Sequence, residues 1–245
     1  MGKISTLIKV VKNIDNSITY LRDYFGFLKD KPLIYRLRNG IKYKVRGGST
    51  DRFIINEICL HKNYNPKGFE IKEKDTVVDI GGHIGVFAVM AAHCAKNGKV
   101  YVFEPVKENF DLLNENIKLN NLNNVRAFNK AVSDKDGKIE FFVSNSRNKG
   151  QNSIYSLSKD QTKRVVDKIS FKNFLKKFDS IDFLKIDCEG SEHDIILSLN
   201  DKELRKIKKI AMEYHNYEGK RGEKLAEFLK EKGFNVDMNK SGSGL

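Results

Sequence analysis

The chain has 245 residues, of which 40% are hydrophobic and 31% charged, enough for one domain of ordinary enzyme size with a sizeable core and a short N-terminal extension. No apolar stretch approaches the ~18 residues of a membrane span, and the start, Met1-Gly2-Lys3-Ile4, lacks the apolar region and cleavage site of a signal peptide. The net charge of +13 could favour nucleic acid, anionic membranes or acidic substrates, but it comes mostly from lysine (35 against 10 arginines) spread along the whole chain, the pattern of a solvated surface.

Three scattered cysteines, Cys59, Cys94 and Cys188, form no CxxC pair or His/Cys cluster. This argues against a metal site and for reduced thiols in a cytoplasmic protein.

Over residues 4–28 apolar side chains recur at near-helical spacing: Ile4, Leu7, Ile8, Val11, Ile14, Ile18, Leu21, Phe25 and Leu28, with Lys3, Lys9 and Lys12 between them. Two readings stand. One is a basic amphipathic helix making peripheral membrane contact through residues 3–28; the other is a helix or helix pair packed on the domain or a partner. Pro32 and the stretch Arg38-Asn39-Gly40-Ile41-Lys42-Tyr43 predict a hairpin turn. Residues 1–70 thus read as a helical and β-hairpin extension, and 71–245 as the main domain.

From residue 75 strands alternate with helices. Strands are expected at Thr76–Ile80, Val100–Phe103, about 125–130, Lys138–Val143, Ile181–Ile186, Ile207–Met212 and Phe234–Met238. Ile84 to Ala95 is apolar throughout, as for a helix sandwiched against a sheet, and Val106, Phe110, Leu113 and Ile117 mark the next helix. Residues 144–164, rich in Ser, Asn, Lys and Gln, read as a loop. The whole predicts an α/β fold with a doubly wound, mostly parallel sheet flanked by helices.

Chemistry concentrates where strands end. Asp79-Ile80-Gly81-Gly82-His83-Ile84-Gly85 joins the first of these strands to its helix, where glycines admit a ligand close to the backbone and helix-start amides favour negative groups. His83 occupies a position where a dinucleotide fingerprint wants glycine. Glu104 ends the second strand, 19 residues past Gly85, where a carboxylate can accept from ribose hydroxyls. Asp187 ends the fourth strand, at the edge where open α/β sheets bind ligands. Glu189 and Glu192 either join that site or cap the following helix. His215 emerges from Met212-Glu213-Tyr214-His215 at the same edge and can take a hydroxyl proton.

The string Val77 to Gly85, then Phe103-Glu104-Pro105, Asn109, Asn116, Ala131-Val132-Ser133-Asp134 and Phe183-Leu184-Lys185-Ile186-Asp187-Cys188-Glu189-Gly190-Ser191-Glu192, resembles the FkbM family. These are S-adenosylmethionine-dependent methyltransferases of the class I fold. The resemblance covers roughly residues 35–235, and its most specific element is Lys185 to Glu192. It implies S-adenosylmethionine as cofactor: Gly81, Gly82 and Gly85 beside its methionine part with Asp79 and His83 in the same loop, Glu104 with Pro105 at its ribose, Ala131 and Val132 at its adenine, and Asp187 at the cofactor or the acceptor. It further implies O-methyl transfer to a sugar, glycan, glycolipid or related metabolite, with Glu189 and the loop residues Asn152 and Ser153 near the acceptor. Asp51, Glu57 and Tyr64 fall in a stretch similar to the family's N-terminal region.

His215 and Asp187 are the catalytic candidates. The basic charge motivates an RNA methyltransferase as the alternative, yet Asp187-Cys188-Glu189-Gly190 stands where a base-amino enzyme would show Asn/Asp-Pro-Pro-aromatic, and no RNA-binding module is evident, which argues against nucleic acid. A non-catalytic scaffold recruited to a membrane is the third reading. In the class I fold a further antiparallel strand normally follows residue 238; here either the chain is shortened or that strand is missing and an edge lies open.

Overall fold

The computed structural model describes residues 3–144, 161–188, 190–216 and 221–238. Asn152, Ser153 and Glu189 therefore lie outside the described residues. The chain opens with two helices, α1 (Lys3–Asn13) and α2 (Ser17–Tyr24), broken where Ile14 bridges Leu37. An antiparallel hairpin follows, β1 (Pro32–Arg36) with β2 (Lys42–Arg46). Helix α3 (Asp51–Ile55) then widens into a π turn over Asn56–Leu60.

The centre is a five-stranded sheet of β3 (Thr76–Ile80), β4 (Lys99–Phe103), β5 (Val125–Phe128), β9 (Phe183–Ile186) and β10 (Ile210–Met212). Its order is β10-β9-β3-β4-β5 and every neighbouring pair is parallel. Winding runs outward from β3 in one direction and then from β9 in the other. The crevice between these two strands is the switch point at which such sheets bind ligands.

The strands bury both faces, as parallel sheets with helices on each side must. Val77, Val100, Val102 and Phe183 point to one core, with α4 (Val86–Cys94), α5 (Lys107–Leu119) and the buried side chains Val10, Tyr20, Tyr35 and Tyr43 of the N-terminal segment. Val78, Ile80, Tyr101, Phe103, Leu184 and Ile186 point to the other, against α6 (Phe171–Leu175), α7 (Glu192–Leu197), α8 (Asp201–Leu204) and α9 (Gly222–Glu231). Helix α4 is apolar on all sides because the sheet covers one flank and the N-terminal segment the other, where Tyr43 Oη donates to the Val86 carbonyl at 3.0 Å. The helical period at residues 4–28 thus resolves as a helix pair packed on the domain. No described helix is long and apolar enough to cross a membrane.

Three expectations need correction. The strand read at 125–130 stops at Phe128, and Ala131–Ser133 forms a separate strand, β6. Asn129 causes the departure: its amide donates to the carbonyls of Glu104 (2.9 Å) and Pro105 (3.0 Å), bending the chain over the end of β4. The loop assigned to 144–164 ends early, because Gln161–Ser170 is a ten-residue strand, β8, lying between β6 and β7 (Gly137–Ser144) in a second, three-stranded sheet. Its side chains are mostly exposed, so Lys and Arg replace the alternation that marks a half-buried strand. Phe234–Met238 has no regular structure, although Phe234 and Val236 pack on the second core. Among the described residues no strand pairs with the outer edge of β10.

Candidate active site

A cleft of about 1050 Å³ opens over the carboxyl ends of β3, β4 and β9. That volume includes space open to solvent. Gly81, Gly82, His83, Glu104, Pro105, Ala131, Val132 and Asp187 all line it. These eight positions, read from strand-end spacing or implied by the family resemblance, thus line one cleft.

The loop after β3 is held tight against its neighbours. The amides of Gly81 and Gly82 both donate to the Phe103 carbonyl, at 3.0 and 2.9 Å. Gly81 has φ +83°, and a Cβ there would come within 1.7 Å of the Asp187 carbonyl oxygen. Only glycine lets the loop pass between β3 and β9 at this distance.

Glu104 is buried and accepts from the amides of His83 and Val106, each at 2.8 Å, and from Asn109. Burial outweighs these bonds and raises its carboxyl to about 7. Three donors fill three of its roughly four acceptor sites and leave one for a hydroxyl donor.

Asp79 and Gly85 stand behind the wall. Asp79 is fully buried beneath the loop and faces the ammonium of Lys185 at 3.1 Å. Lys185 Nζ also donates to the Gly81 carbonyl (2.7 Å) and lies 3.6 Å from Asp187. Burial opposes its charge, but the Asp79 and Asp187 carboxylates outweigh that and hold it above the ordinary lysine range. Asp79 therefore braces the loop through Lys185, and the ion pair ties β3 to β9. Gly85, at φ +84°, opens α4 against Leu113.

Opposite the loop the cleft is acidic. Tyr64 Oη lies 3.0 Å from Asp187 and 2.9 Å from Glu213, so two carboxylates share one hydroxyl. Asp187, followed by burial, raises the Glu213 carboxyl. Glu57, on the π turn, also lines the cleft; burial and the charges of Glu213 and Asp187 raise it to about 7. The turn is anchored from the N-terminal helices, where Tyr20 Oη and the Asn56 side-chain amide exchange bonds of 2.9 and 2.7 Å. Widened turns of this kind re-aim side chains, here Glu57 and Ile58, into a site.

His215 lies at the rim and does not line the cleft. Its Nδ1 is 2.9 Å from Glu192, and its Nε2 is 4.0 Å from Glu213. Glu192 is fully buried and also accepts from the Gly190 amide. It is the first residue of α7, makes no capping bond to the described helix amides, and reaches back to hold the histidine. Cys188 lines the cleft, but burial and the charges of Glu192 and Asp187 push its thiol well up, which leaves it a poor nucleophile.

Sequence reasoning missed Lys185 and Glu213 as site residues. The signal for Lys185 was present: it is the one charge inside the apolar strand Phe183–Ile186, and a buried lysine needs a partner. Among the described residues no three His, Cys, Asp or Glu side chains are grouped to hold a metal ion.

A family model described as Methyltransferase FkbM domain matches residues 79–236. The chain is similar to 31-O-demethyl-FK506 methyltransferase FkbM of Streptomyces tacrolimicus, with 26% identity over 232 residues, 82% of this chain and 88% of that protein. It is 22% identical over 188 residues to Methyltransferase 1 of Beauveria bassiana (strain ARSEF 2860), covering 68% of this chain and 74% of that one. The crystal structure of Methyltransferase FkbM from Methylobacillus flagellatus KT aligns with a TM-score of 0.37 and 17% identity, over 55% of this chain and 30% of that chain. The chain therefore spans under a third of that solved protein.

Proposed function

This chain belongs to the FkbM methyltransferase domain family, and on that premise we propose that it transfers the methyl group of S-adenosylmethionine to a hydroxyl of a sugar, glycan, glycolipid or related metabolite. The observation that supports the reading is a cleft lined by the glycine loop, Glu104 and Glu213, with His215, held by the buried Glu192, 4.0 Å from Glu213.

The residues present fit the cofactor. Gly81 and Gly82 would admit its methionine part and Glu104 its ribose hydroxyls, while Ala131 and Val132, which also line the cleft, would offer adenine an apolar surface. When bound, it supplies an electrophilic methyl on a sulfonium. What remains for the protein is to orient an acceptor oxygen, exclude water and remove one proton; orientation alone can supply roughly 7–11 kcal/mol.

His215 is suited to the proton step. A neutral ring that donates from Nδ1 to Glu192 carries its lone pair on Nε2, and the charge that forms as Nε2 takes the hydroxyl proton is met by Glu192 and Glu213. Glu192 acts here as a positioning residue. Glu213 is a second candidate for the same proton, since it lines the cleft and its carboxyl is raised.

The test is turnover against cofactor binding. His215→Ala should lower turnover by roughly 10²–10⁴-fold with S-adenosylmethionine affinity retained. Unchanged turnover would take the proton step away from His215, and a large loss in Glu213→Gln alone would assign it to Glu213.

A further inference from the structure

Among the described residues nine large hydrophobic side chains are exposed, and seven of them fall between Ile8 and Phe53. Four of these seven fall on or beside α2 and α3. Ile18 and Phe25 are 74% and 65% exposed and lie seven residues apart on one face of α2, with Arg22 between them at the i+4 position. The buried side chains of that helix, Tyr20 and Asp23, hold it to the domain. Phe27 is 71% exposed and Phe53 47%. Tyr24 packs edge-on against Phe25, and the Arg52 guanidinium lies 5.7 Å from the Tyr24 ring and 4.7 Å from that of Phe53. Lys29 folds back beside Gly26, the residue that separates Phe25 from Phe27 in sequence, where its Nζ would stand 3.7 Å from an added Cβ. The result is an apolar ledge rimmed by the exposed Arg22 and Lys29, with Arg52 held beneath it, 3.8 Å from the buried Asp23.

We propose that this ledge docks on a membrane surface rich in anionic lipid. Several exposed rings and a branched aliphatic side chain, rimmed by cations, match the headgroup–acyl boundary, where apolar groups insert and basic groups meet phosphates. A second copy of the chain is a poorer occupant, because self-association would bring the exposed Arg22 and Lys29 against their own kind. RNA is poorer too, because Arg52 is engaged with two rings of the protein and with Asp23 instead of being offered to bases. The ledge adjoins the catalytic cleft in sequence and space: Phe53 precedes Ile54, which lines it. Docking would therefore bring one cleft wall near the bilayer, where an acceptor with a lipid tail resides. The proposal goes beyond methyl transfer and does not depend on it.

The test is co-sedimentation of the full chain with vesicles of phosphatidylcholine, or of phosphatidylcholine with phosphatidylglycerol in equal parts. Binding is expected to the mixed vesicles only. The triple variant Phe25→Ser, Phe27→Ser, Phe53→Ser should weaken it at least about tenfold, and Arg22→Gln or Lys29→Gln about fivefold each. Circular dichroism melting should show every variant folded, with at most a small shift for the triple variant, which loses the Tyr24–Phe25 and Arg52–Phe53 contacts. Absence of binding to mixed vesicles would overturn the proposal, as would equal binding by the triple variant. Dimerisation in light scattering, or binding of RNA homopolymers, that the triple variant abolishes while vesicles remain unbound would assign the ledge to those partners instead.

Discussion

Glu104 makes the protein's affinity for its cofactor depend on pH in a direction that can be worked out. Burial raises its carboxyl from the ordinary 4.5 to about 7 in the unliganded fold. The folded chain therefore holds a proton that the unfolded chain has released over this interval. The resulting stability is fully present below pH 4.5 and is lost as pH rises through 7, by at most about 3 kcal/mol. Ribose hydroxyls donate to the charged form, so binding below pH 7 must first expel the proton. S-adenosylhomocysteine should bind about tenfold more tightly at pH 8 than at pH 6. Isothermal titration calorimetry in buffers of different ionisation enthalpy should register a proton released at pH 6. Glu104→Gln should bind more weakly at both values and lose this pH dependence. An equal pH slope in wild type and variant would refute the reasoning.

Other substitutions probe the frame around the cleft. Gly81→Ala places a Cβ 1.7 Å from the Asp187 carbonyl at φ +83°; it should abolish cofactor binding in calorimetry and cost at least about 1–3 kcal/mol of stability. Lys185→Met strands Asp79 in the core and should cost about 3–5 kcal/mol in denaturant titration. Lys185→Met with Asp79→Leu should recover much of that, and no recovery would separate the two residues. Tyr64→Phe removes the hydroxyl shared by Asp187 and Glu213, which should lower stability by about 1–3 kcal/mol and push the Glu213 carboxyl further up in an NMR titration.

What could be read from the residues follows from how local the signal was. The β-branched run Thr76–Ile80 leading into Gly81, Gly82 and Gly85 announces a buried strand and a tight ligand loop within ten residues, and Glu104 and Asp187 follow from counting to the next strand ends. His215 was placed at the same edge by the same logic, though the structure sets it at the rim, on the arm of Glu192. Residues brought in by tertiary contact gave weaker signals. Tyr64 and Glu57 reach the cleft only because the π turn, anchored by Tyr20, aims that segment across β3 and β9. The break between β5 and β6 depends on one asparagine bonding two carbonyls of another loop. Strand β8 carries Thr162, Lys163 and Arg164 on exposed positions, so its pattern resembles that of a polar loop. Phe234 and Val236 are apolar because they pack on the second core, a demand that irregular chain meets as well as a strand.

The most direct test of methyl transfer to a hydroxyl is to incubate the purified chain with methyl-labelled S-adenosylmethionine and cell extract, then separate glycan, lipid, small-molecule and RNA pools. The label should enter a glycan, lipid or small-molecule product as an alkali-stable methyl ether, and His215→Ala should abolish it. Label confined to RNA, or no transfer by a protein that binds the cofactor, would contradict the account.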